Sequence, residues 1–259
     1  MVVEVDAAAA ERGRDRVLAS MDAAVRRNKL AASDMESAVA HLEFTHDFGA
    51  FADRDLVVEA VIENPDLKVD AFRRLDAVVV SPDAILASNT SSIPIMKLAT
   101  VTNRPTQVIG IHFFNPVPVL PLVELVPSLM TSAATEERAA VFAGETLHKN
   151  VVRSKDRAGF VVNALLIPYL LSAIRMLESG FATADDIDSG MVHGCAHPMG
   201  PLALTDLIGL DTTMAVAESM YSEFKEPLYA PPPLLSRMVE AGLLGRKSGR
   251  GFHSYAKKV

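Results

Sequence analysis

Residues 55–62 read Asp55-Leu-Val-Val-Glu-Ala-Val-Ile62, and this apolar run decides the fold. Its length and its β-branched residues predict a buried strand. A helical pattern over 66–79 follows it, and a second apolar run, Ala84-Ile-Leu-Ala-Ser88, comes next. A strand, a helix and another strand at this spacing indicate a βαβ unit, in which the two strands run parallel.

The same alternation extends in both directions from this unit. Upstream, residues 2–6 predict a strand and residues 7–28 a long amphipathic helix, while Ser33-Asp-Met-Glu36 resembles a capping box that opens a second helix. Downstream, a helix over 94–100 precedes a strand that ends at His112. We therefore expect an α/β fold with a parallel sheet.

The pattern changes after residue 156, where long helical segments replace the alternation. They cover residues 159–179, 183–193, 202–208, 211–224 and 232–242. Thr183 suits an N-cap, and Gly180 suits the position after a helix end. We therefore divide the chain into an α/β domain, residues 1–156, and an all-α domain, residues 157–259.

Composition narrows the classes of partner and compartment. The formal net charge of −7 argues against nucleic acid or an anionic membrane as partner. The single Cys195 cannot form an intramolecular disulfide, which fits a reducing cytoplasm. The most apolar segment, 160–177, contains Asn163, Pro168 and Arg175, so it predicts a buried helix rather than a membrane span. We expect a cytoplasmic protein.

A histidine and a glutamate end two neighbouring apolar runs. His112 follows Val108-Ile-Gly-Ile111, and Glu124 closes the run over 117–124. A histidine that titrates near neutrality, oriented by a carboxylate, can act as a general acid/base. The alternative is a core histidine with a satisfied hydrogen bond beside an unrelated glutamate. Spacing alone leaves both interpretations open.

Six segments of the chain, taken together and in order, resemble one family. They are Asp55-Leu-Val-Val-Glu-Ala-Val-Ile-Glu-Asn64, Ala87-Ser-Asn-Thr-Ser-Ser92, His112-Phe-Phe-Asn-Pro116, Asp156-Arg-Ala-Gly-Phe-Val-Val-Asn163, His197-Pro-Met-Gly-Pro201 with Gly209-Leu-Asp211, and Gly245-Arg-Lys-Ser-Gly-Arg-Gly-Phe252. The set resembles the L-3-hydroxyacyl-CoA dehydrogenases, especially the short bacterial 3-hydroxybutyryl-CoA dehydrogenases. The resemblance implies a Rossmann-type doubly wound sheet, NAD as cofactor, an acyl-CoA substrate, no metal, and a homodimer formed through the helical domain.

The resemblance also implies roles for individual residues. His112 would take the proton of the 3-hydroxyl as hydride leaves C3 for NAD⁺, and Glu124 would orient the imidazole. Ser91 and Asn163 match positions that hydrogen-bond the substrate oxygens, and Asn115 would help to place the same groups. The residues alone are also compatible with a helix cap at Ser91 and a turn at Asn115.

Two further sets of residues are implied for the cofactor and for CoA. Asp6 matches the acid that binds the adenosine ribose, which favours NAD because a carboxylate would repel the 2′-phosphate of NADP. Glu63 and Lys68 match positions near the nicotinamide ribose, and Asn89 lies in the loop after its strand. These residues are at the sheet edge where such folds bind ligands.

The CoA phosphates have a candidate site at the end of the long helix. The basic cluster Arg26-Arg27-Asn28-Lys29 would bind them, with Ser20 one or two turns earlier. A solvated helix end whose cations complement the helix dipole is the alternative, and the residues leave both open.

The chain departs from the family pattern in one respect. The family begins with a strand and G-x-G-x-x-G, whose helix holds the pyrophosphate. No such motif occurs here, and the first glycine, Gly13, falls inside the long helix. We therefore expect the family's first βα unit to be missing. The strand that corresponds to the family's second would then either pair directly with the one that corresponds to its fourth or be left loose. A late start codon, a truncated chain, and a non-redox acyl-CoA-binding paralogue are the three explanations considered.

Overall fold

The structure is a computed structural model that describes residues 1–255. Within them the strands are β1 (Val2–Val3), β2 (Phe44–Thr45), β3 (Leu56–Glu59), β4 (Ile85–Ser88), β5 (Val108–Phe113), β6 (Leu122–Pro127) and β7 (Asn150–Arg153). The helices are α1 (Ala7–Arg26), α2 (Ala32–Ala40), α3 (Pro65–Val78), α4 (Ile95–Ala99), α5 (Ala133–Val141), α6 (Val162–Glu178), α7 (Ala184–Cys195), α8 (Pro201–Ile208), α9 (Leu210–Phe224) and α10 (Pro233–Glu240).

The larger sheet has five strands in the order β3-β4-β5-β6-β7. The predicted βαβ unit is confirmed, because β3, β4 and β5 run parallel. β6 runs antiparallel to β5, a direction not predicted from the sequence. The connection between them, residues 114–121, is too short for the crossover helix that a parallel neighbour needs.

A separate two-stranded sheet contains β1 and β2, which run parallel. Within residues 1–255 no ladder joins β1 to β3, so the first of the two alternatives, direct pairing, is not observed. A cavity of about 520 Å³ lies between β1 and β3 and is lined by residues of both strands. The two sheets are therefore separated by this cavity.

Side chains cap the N-termini of some of the helices, and these caps test the predicted helix starts. Asp6 accepts a hydrogen bond from the Ala9 N–H at 2.7 Å and begins α1. The capping box predicted at 33–36 is wrong, because α2 already begins at Ala32 and its N-cap, Ala31, has no side-chain acceptor. Ser33 consequently lies within the first turn instead of before it. The predicted cap at Thr183 is confirmed, since its hydroxyl accepts from the Asp186 N–H.

The helices α6 to α10 enclose a second apolar core. Its fully buried members include Leu171, Ile174, Leu202 and Met220. The helix expected over 160–177 is observed as Val162–Glu178. Its inner side, which includes Leu171 and Ile174, is buried in this core, whereas Leu165 on its outer side is 75 % exposed. No helix in the described part of the chain is long and apolar enough to cross a membrane.

The glycine-rich segment near the end of the chain packs on α8. Asp206 is 1 % exposed and accepts hydrogen bonds from the Phe252 and His253 N–H groups and from the Tyr255 hydroxyl. A side chain at Gly251 would place its Cβ 1.9 Å from the Asp206 carboxylate. Glycine is therefore required there by close approach.

Candidate active site

The antiparallel register of β5 and β6 places His112 directly opposite Glu124. His112 Nδ1 lies 2.8 Å from Glu124 Oε2, and the side chains are 8 % and 0 % exposed. Because an ionised carboxylate can only accept, Nδ1 carries the proton of the neutral ring. The lone pair is therefore on Nε2, which is the arrangement that a general base requires.

The second oxygen of Glu124 is held by the start of α6. Oε1 accepts hydrogen bonds from the Val161 N–H at 3.0 Å and the Val162 N–H at 2.9 Å. These are groups that a helix N-terminus leaves without intrahelical partners, and the helix dipole there favours a negative charge. The carboxylate is thus fixed at both oxygens, and it ties the sheet to the helix turn that carries Asn163.

Two aromatic rings hold the imidazole in place. The ring of Phe114 lies 4.6 Å from that of His112, and the ring of Phe160 lies 5.5 Å away, both measured between centroids. Among residues 1–255, no group hydrogen-bonds His112 Nε2. The ring is therefore held at Nδ1 and on its faces, while the basic nitrogen remains available to a ligand.

The loop after β4 approaches the end of the histidine strand. The Asn89 side-chain oxygen accepts a hydrogen bond from the Phe113 N–H at 2.8 Å. Asn89 therefore fixes the residue that follows His112. Ser91, two residues further, is half-buried in the same loop.

Glu63 organises this loop through one oxygen. Its Oε1 accepts from the Thr90 hydroxyl at 2.6 Å, the Ser91 N–H at 3.0 Å and the Ser92 N–H at 3.1 Å. Burial by itself would raise the pKa of Glu63, but these hydrogen bonds and the charge of Lys68 outweigh it and lower the pKa. Glu63 is therefore ionised at neutral pH and holds Ser91 in position.

Lys68 is buried behind this glutamate. Its side chain is 1 % exposed, and Nζ lies 2.7 Å from Glu59 Oε1 and 3.5 Å from Glu63 Oε2. Glu59 also accepts from the Ser88 hydroxyl at 2.6 Å. The Lys68 ammonium therefore contacts the carboxylates of Glu59 and Glu63 and is not exposed to solvent. The sequence interpretation missed Glu59, although a lone acid within an apolar strand was a signal for a buried ion pair.

The other predicted residues lie at the surface. Asp6 is exposed at the end of β1 and caps α1, and Asn115 is exposed just after β5. Ser20 and Lys29 are exposed on and just after α1, and no hydrogen bond joins them to the residues around His112 within the described part of the chain. The structure therefore brings together His112, Glu124, Asn89, Ser91, Glu63 and Lys68 through direct contacts or a shared loop. Asn163 lies in the first turn of α6, next to the Val162 N–H that binds Glu124.

Comparison with known proteins identifies the arrangement. Residues 1–157 match the model of the 3-hydroxyacyl-CoA dehydrogenase NAD binding domain, and residues 159–255 match that of the 3-hydroxyacyl-CoA dehydrogenase C-terminal domain. The chain belongs to the 3-hydroxyacyl-CoA dehydrogenase family. The fold class expected from the sequence, a Rossmann-type sheet domain followed by a helical domain, is confirmed.

Individual members of the 3-hydroxyacyl-CoA dehydrogenase family are close to this chain. It is 58 % identical over 243 residues to a 3-hydroxybutyryl-CoA dehydrogenase of Mycobacterium tuberculosis, covering 94 % of this chain and 85 % of that protein. The crystal structure of M. tuberculosis FadB2 superposes with a TM-score of 0.97 at 57 % identity, covering 98 % of this chain and 90 % of the other. The crystal structure of (S)-3-hydroxybutyryl-CoA dehydrogenase PaaH1 from Ralstonia eutropha superposes with a TM-score of 0.92 at 45 % sequence identity, covering 98 % of this chain and 89 % of the other.

Membership of the 3-hydroxyacyl-CoA dehydrogenase family makes NAD the cofactor of the N-terminal domain. The residues present fit it in two places. The exposed carboxylate of Asp6 at the end of β1 suits ribose hydroxyls, and the polar loop of Asn89 and Ser91 lies at the carboxyl ends of β4 and β5 beside His112.

Proposed function

We propose that this chain oxidises the 3-hydroxyl group of a short L-3-hydroxyacyl-CoA, such as 3-hydroxybutyryl-CoA, with NAD as hydride acceptor. The proposal rests on the His112–Glu124 pair, in which α6 holds the carboxylate and no group of residues 1–255 hydrogen-bonds His112 Nε2. The names of the similar proteins from M. tuberculosis and R. eutropha support the short-chain substrate. They give no support to the alternative of a non-redox acyl-CoA-binding paralogue.

The mechanism assigns one proton to His112. NAD supplies a hydride acceptor for C3 of the substrate. As C3 loses hydride, Nε2 takes the proton of the 3-hydroxyl, and the imidazolium that forms is stabilised by the Glu124 carboxylate 2.8 Å from Nδ1. In the reverse direction the imidazolium returns this proton to the oxygen. Substrate oxygens are bound by Ser91, Asn163 and Asn115 in this proposal.

Cofactor and CoA contacts complete the proposal. Asp6, Asn89 and Glu63 contact NAD, and Lys68 supports Glu63 from the interior. Lys29, with Ser20, binds the CoA phosphates from the surface of α1. The division at residues 156 and 157 and a cytoplasmic location also remain proposals.

We also propose a homodimer formed through α6. Leu165, Tyr169, Ser172 and Met176 follow at helical spacing along one side of α6, and Leu165 and Met176 remain 75 % and 42 % exposed. An apolar cavity of about 330 Å³ beside this stripe is lined by Ile187 and other residues of α7. Exposed apolar stripes of this kind mark association surfaces, and a second copy is the occupant proposed.

The test of the activity is the variant His112→Gln. Glutamine cannot accept the proton, so we expect kcat for NADH formation from 3-hydroxybutyryl-CoA to fall by about 10²–10⁴-fold. The thermal midpoint should stay near that of the wild type, and His46→Gln, at an exposed histidine, serves as the matched control. Undiminished turnover in His112→Gln would refute the assignment. A wild-type chain that binds acetoacetyl-CoA without binding NADH would instead support the non-redox alternative.

A further inference from the structure

Ser91 has a fixed backbone and a hydroxyl that remains available to a ligand. Its N–H donates to Glu63 Oε1 at 3.0 Å, and the Ser92 N–H donates to the same oxygen at 3.1 Å. The Ser91 hydroxyl lies 3.4 Å from this oxygen, which is beyond the usual length of a hydrogen bond between two oxygens. Glu63 therefore holds donors of this loop. It cannot hold the loop's carbonyls, because a carboxylate only accepts.

A serine of α9 binds one of these carbonyls. The Ser219 hydroxyl donates to the Ser92 carbonyl at 3.1 Å. Ser92 is 4 % exposed, and Ser219 is half-buried. Within residues 1–255 no other group donates to this carbonyl. Ser219 therefore satisfies an acceptor in the buried residue that directly follows Ser91.

The Ser219 contact differs from those of other hydroxyls in the helices. The hydroxyls of Ser172, Thr205 and Thr213 each donate to the carbonyl four residues earlier. This local bond is common for serine and threonine within helices. Ser219 instead bonds a carbonyl 127 residues away in the sequence. Its side chain therefore links α9 to the loop that carries Ser91.

The same side of α9 contacts the turn that holds the Glu124 carboxylate. Glu223 lies four residues after Ser219, and residues four apart share one side of a helix. The Ala158 N–H donates to the two oxygens of Glu223 at 3.2 and 3.1 Å. Ala158 is fully buried and lies three residues before Val161, whose N–H binds Glu124. α9 is therefore anchored next to one part of the site, while Ser219 contacts the other.

We propose that Ser219 is a positioning residue that places the Ser91 hydroxyl on a substrate oxygen, a role that rests on the proposed function. In Ser219→Ala the Ser92 carbonyl loses its donor, so the peptide unit after Ser91 would turn toward another donor or toward water. Such a shift lowers turnover, because a displacement on the order of 1 Å in a substrate-binding group can cost about 10²-fold. A bond that only stabilised the loop would not act through the Ser91 hydroxyl.

The test is a double-mutant cycle in the full chain, with Ser91→Ala, Ser219→Ala and the variant that combines them. We expect Ser219→Ala to lower kcat/KM for 3-hydroxybutyryl-CoA about tenfold. In the Ser91→Ala background the same change should cost less than about twofold, because the hydroxyl that Ser219 places is gone. An equal loss in both backgrounds would overturn the proposal, as would undiminished kcat/KM in Ser219→Ala.

A binding measurement separates this proposal from the proposed activity. If the wild type shows no turnover, the same cycle is measured on the Kd of acetoacetyl-CoA. Coupling between the two serines in binding would then support the role of Ser219, although the activity itself is refuted. Independent losses at the two serines, or a wild type that does not bind acetoacetyl-CoA, would overturn both.

Two further variants serve as controls. Ser219→Thr keeps the hydroxyl, so its kcat/KM should stay within about twofold of the wild type. Ser222→Ala makes the same change as Ser219→Ala at an exposed serine of the same helix, and it should leave kcat/KM and the thermal midpoint unchanged. A folded Ser219→Thr that is as slow as Ser219→Ala would show that the hydroxyl does not place Ser91, which also refutes the proposal.

Discussion

The Glu124 carboxylate contacts both the proposed general base, His112, and the start of α6. It accepts from His112 at one oxygen and from two N–H groups of α6 at the other. In Glu124→Gln the amide can turn its oxygen to only one of these sides. If its NH₂ group faces His112, the ring loses the tautomer that leaves Nε2 basic. If it faces α6, the part-buried N–H groups of Val161 and Val162 lose their acceptor.

We therefore expect Glu124→Gln to lower kcat by about 10²-fold or more. It should also lower the free energy of unfolding by about 1–3 kcal/mol. Steady-state kinetics and urea denaturation measure the two effects, and Glu218→Gln, at an exposed position on α9, is the matched control. A variant that loses stability but keeps full turnover would show that Glu124 has only a structural role.

Glu63 makes a pH-dependent contribution to stability. Its pKa in the folded protein lies below the ordinary value of 4.5, because hydrogen bonds and Lys68 outweigh the effect of burial. A lowered folded pKa means that the contribution is fully present above the unfolded pKa and is lost as pH falls through the folded pKa.

The prediction concerns the difference in unfolding free energy between the wild type and Glu63→Gln. It should be largest at neutral pH and should shrink as pH falls below the unfolded value of 4.5. Denaturant titrations from neutral pH to about pH 3 measure it. A difference that stays constant over this range would show that the ionised form of Glu63 is not what stabilises the loop.

Among the helices, substitutions at three glycines distinguish the cost of a left-handed backbone from the cost of steric contact at a new Cβ. Gly159, just before α6, has φ +83°, and a Cβ there would lie 2.9 Å from the buried Met220 side chain. Gly180, just after α6, has φ +70° with nothing within 4 Å of a Cβ. Gly190 lies inside α7, and a Cβ there is also free of contacts.

The alanine variants should therefore rank in a fixed order. Gly190→Ala should stabilise the protein by about 0.5–1 kcal/mol because the helix loses less chain entropy. Gly180→Ala should destabilise it by about 1–2 kcal/mol through the left-handed backbone alone. Gly159→Ala should cost more than Gly180→Ala, since Met220 must also move. Equal costs at 159 and 180 would mean that the Met220 contact is unimportant, and thermal denaturation resolves the ranking.

Elements with strong periodicity were predictable, while their directions and partners were not. The helix predicted over 7–28 is observed as Ala7–Arg26, and the strand that ends near His112 is observed as Val108–Phe113. The antiparallel direction of β6 was not predicted, because an apolar run has no direction and only the length of its connection decides. β7 was also missed, since Asn150–Arg153 is short and no part of it is fully buried.

The candidate site was predictable for a related reason. His112 and Glu124 each follow an apolar run, which marked both as candidates, but Glu124 lies within β6 and only the antiparallel register places it opposite His112. The support around them came from contacts distant in sequence, such as Val161 to Glu124 and Lys68 to Glu59. Backbone N–H groups have no signature in the side-chain pattern, so the contribution of α6 to Glu124 required the folded structure.

In the whole molecule, the proposed catalytic pair lies between the two apolar cores. His112 and Glu124 belong to the sheet, while Val161, Val162 and Asn163 begin the helix that forms the second core. Any displacement of α6 would therefore move the acceptor of the Nδ1 proton. A partner that covers α6 would stabilise the same turn, so association and catalysis are expected to be linked through this helix.

The proposed dimer provides the test of this link. Leu165→Asp places a charge in the middle of the exposed stripe on α6, where burial against a second copy would be unfavourable. We expect the sedimenting species to change from about twice 27.8 kDa to 27.8 kDa, with a several-fold loss of turnover per chain. Leu129→Asp, at a 96 % exposed leucine outside the stripe, should leave both unchanged. A wild type that sediments as a monomer would refute the dimer, and a monomeric Leu165→Asp with full turnover would refute the link while leaving the His112 assignment intact.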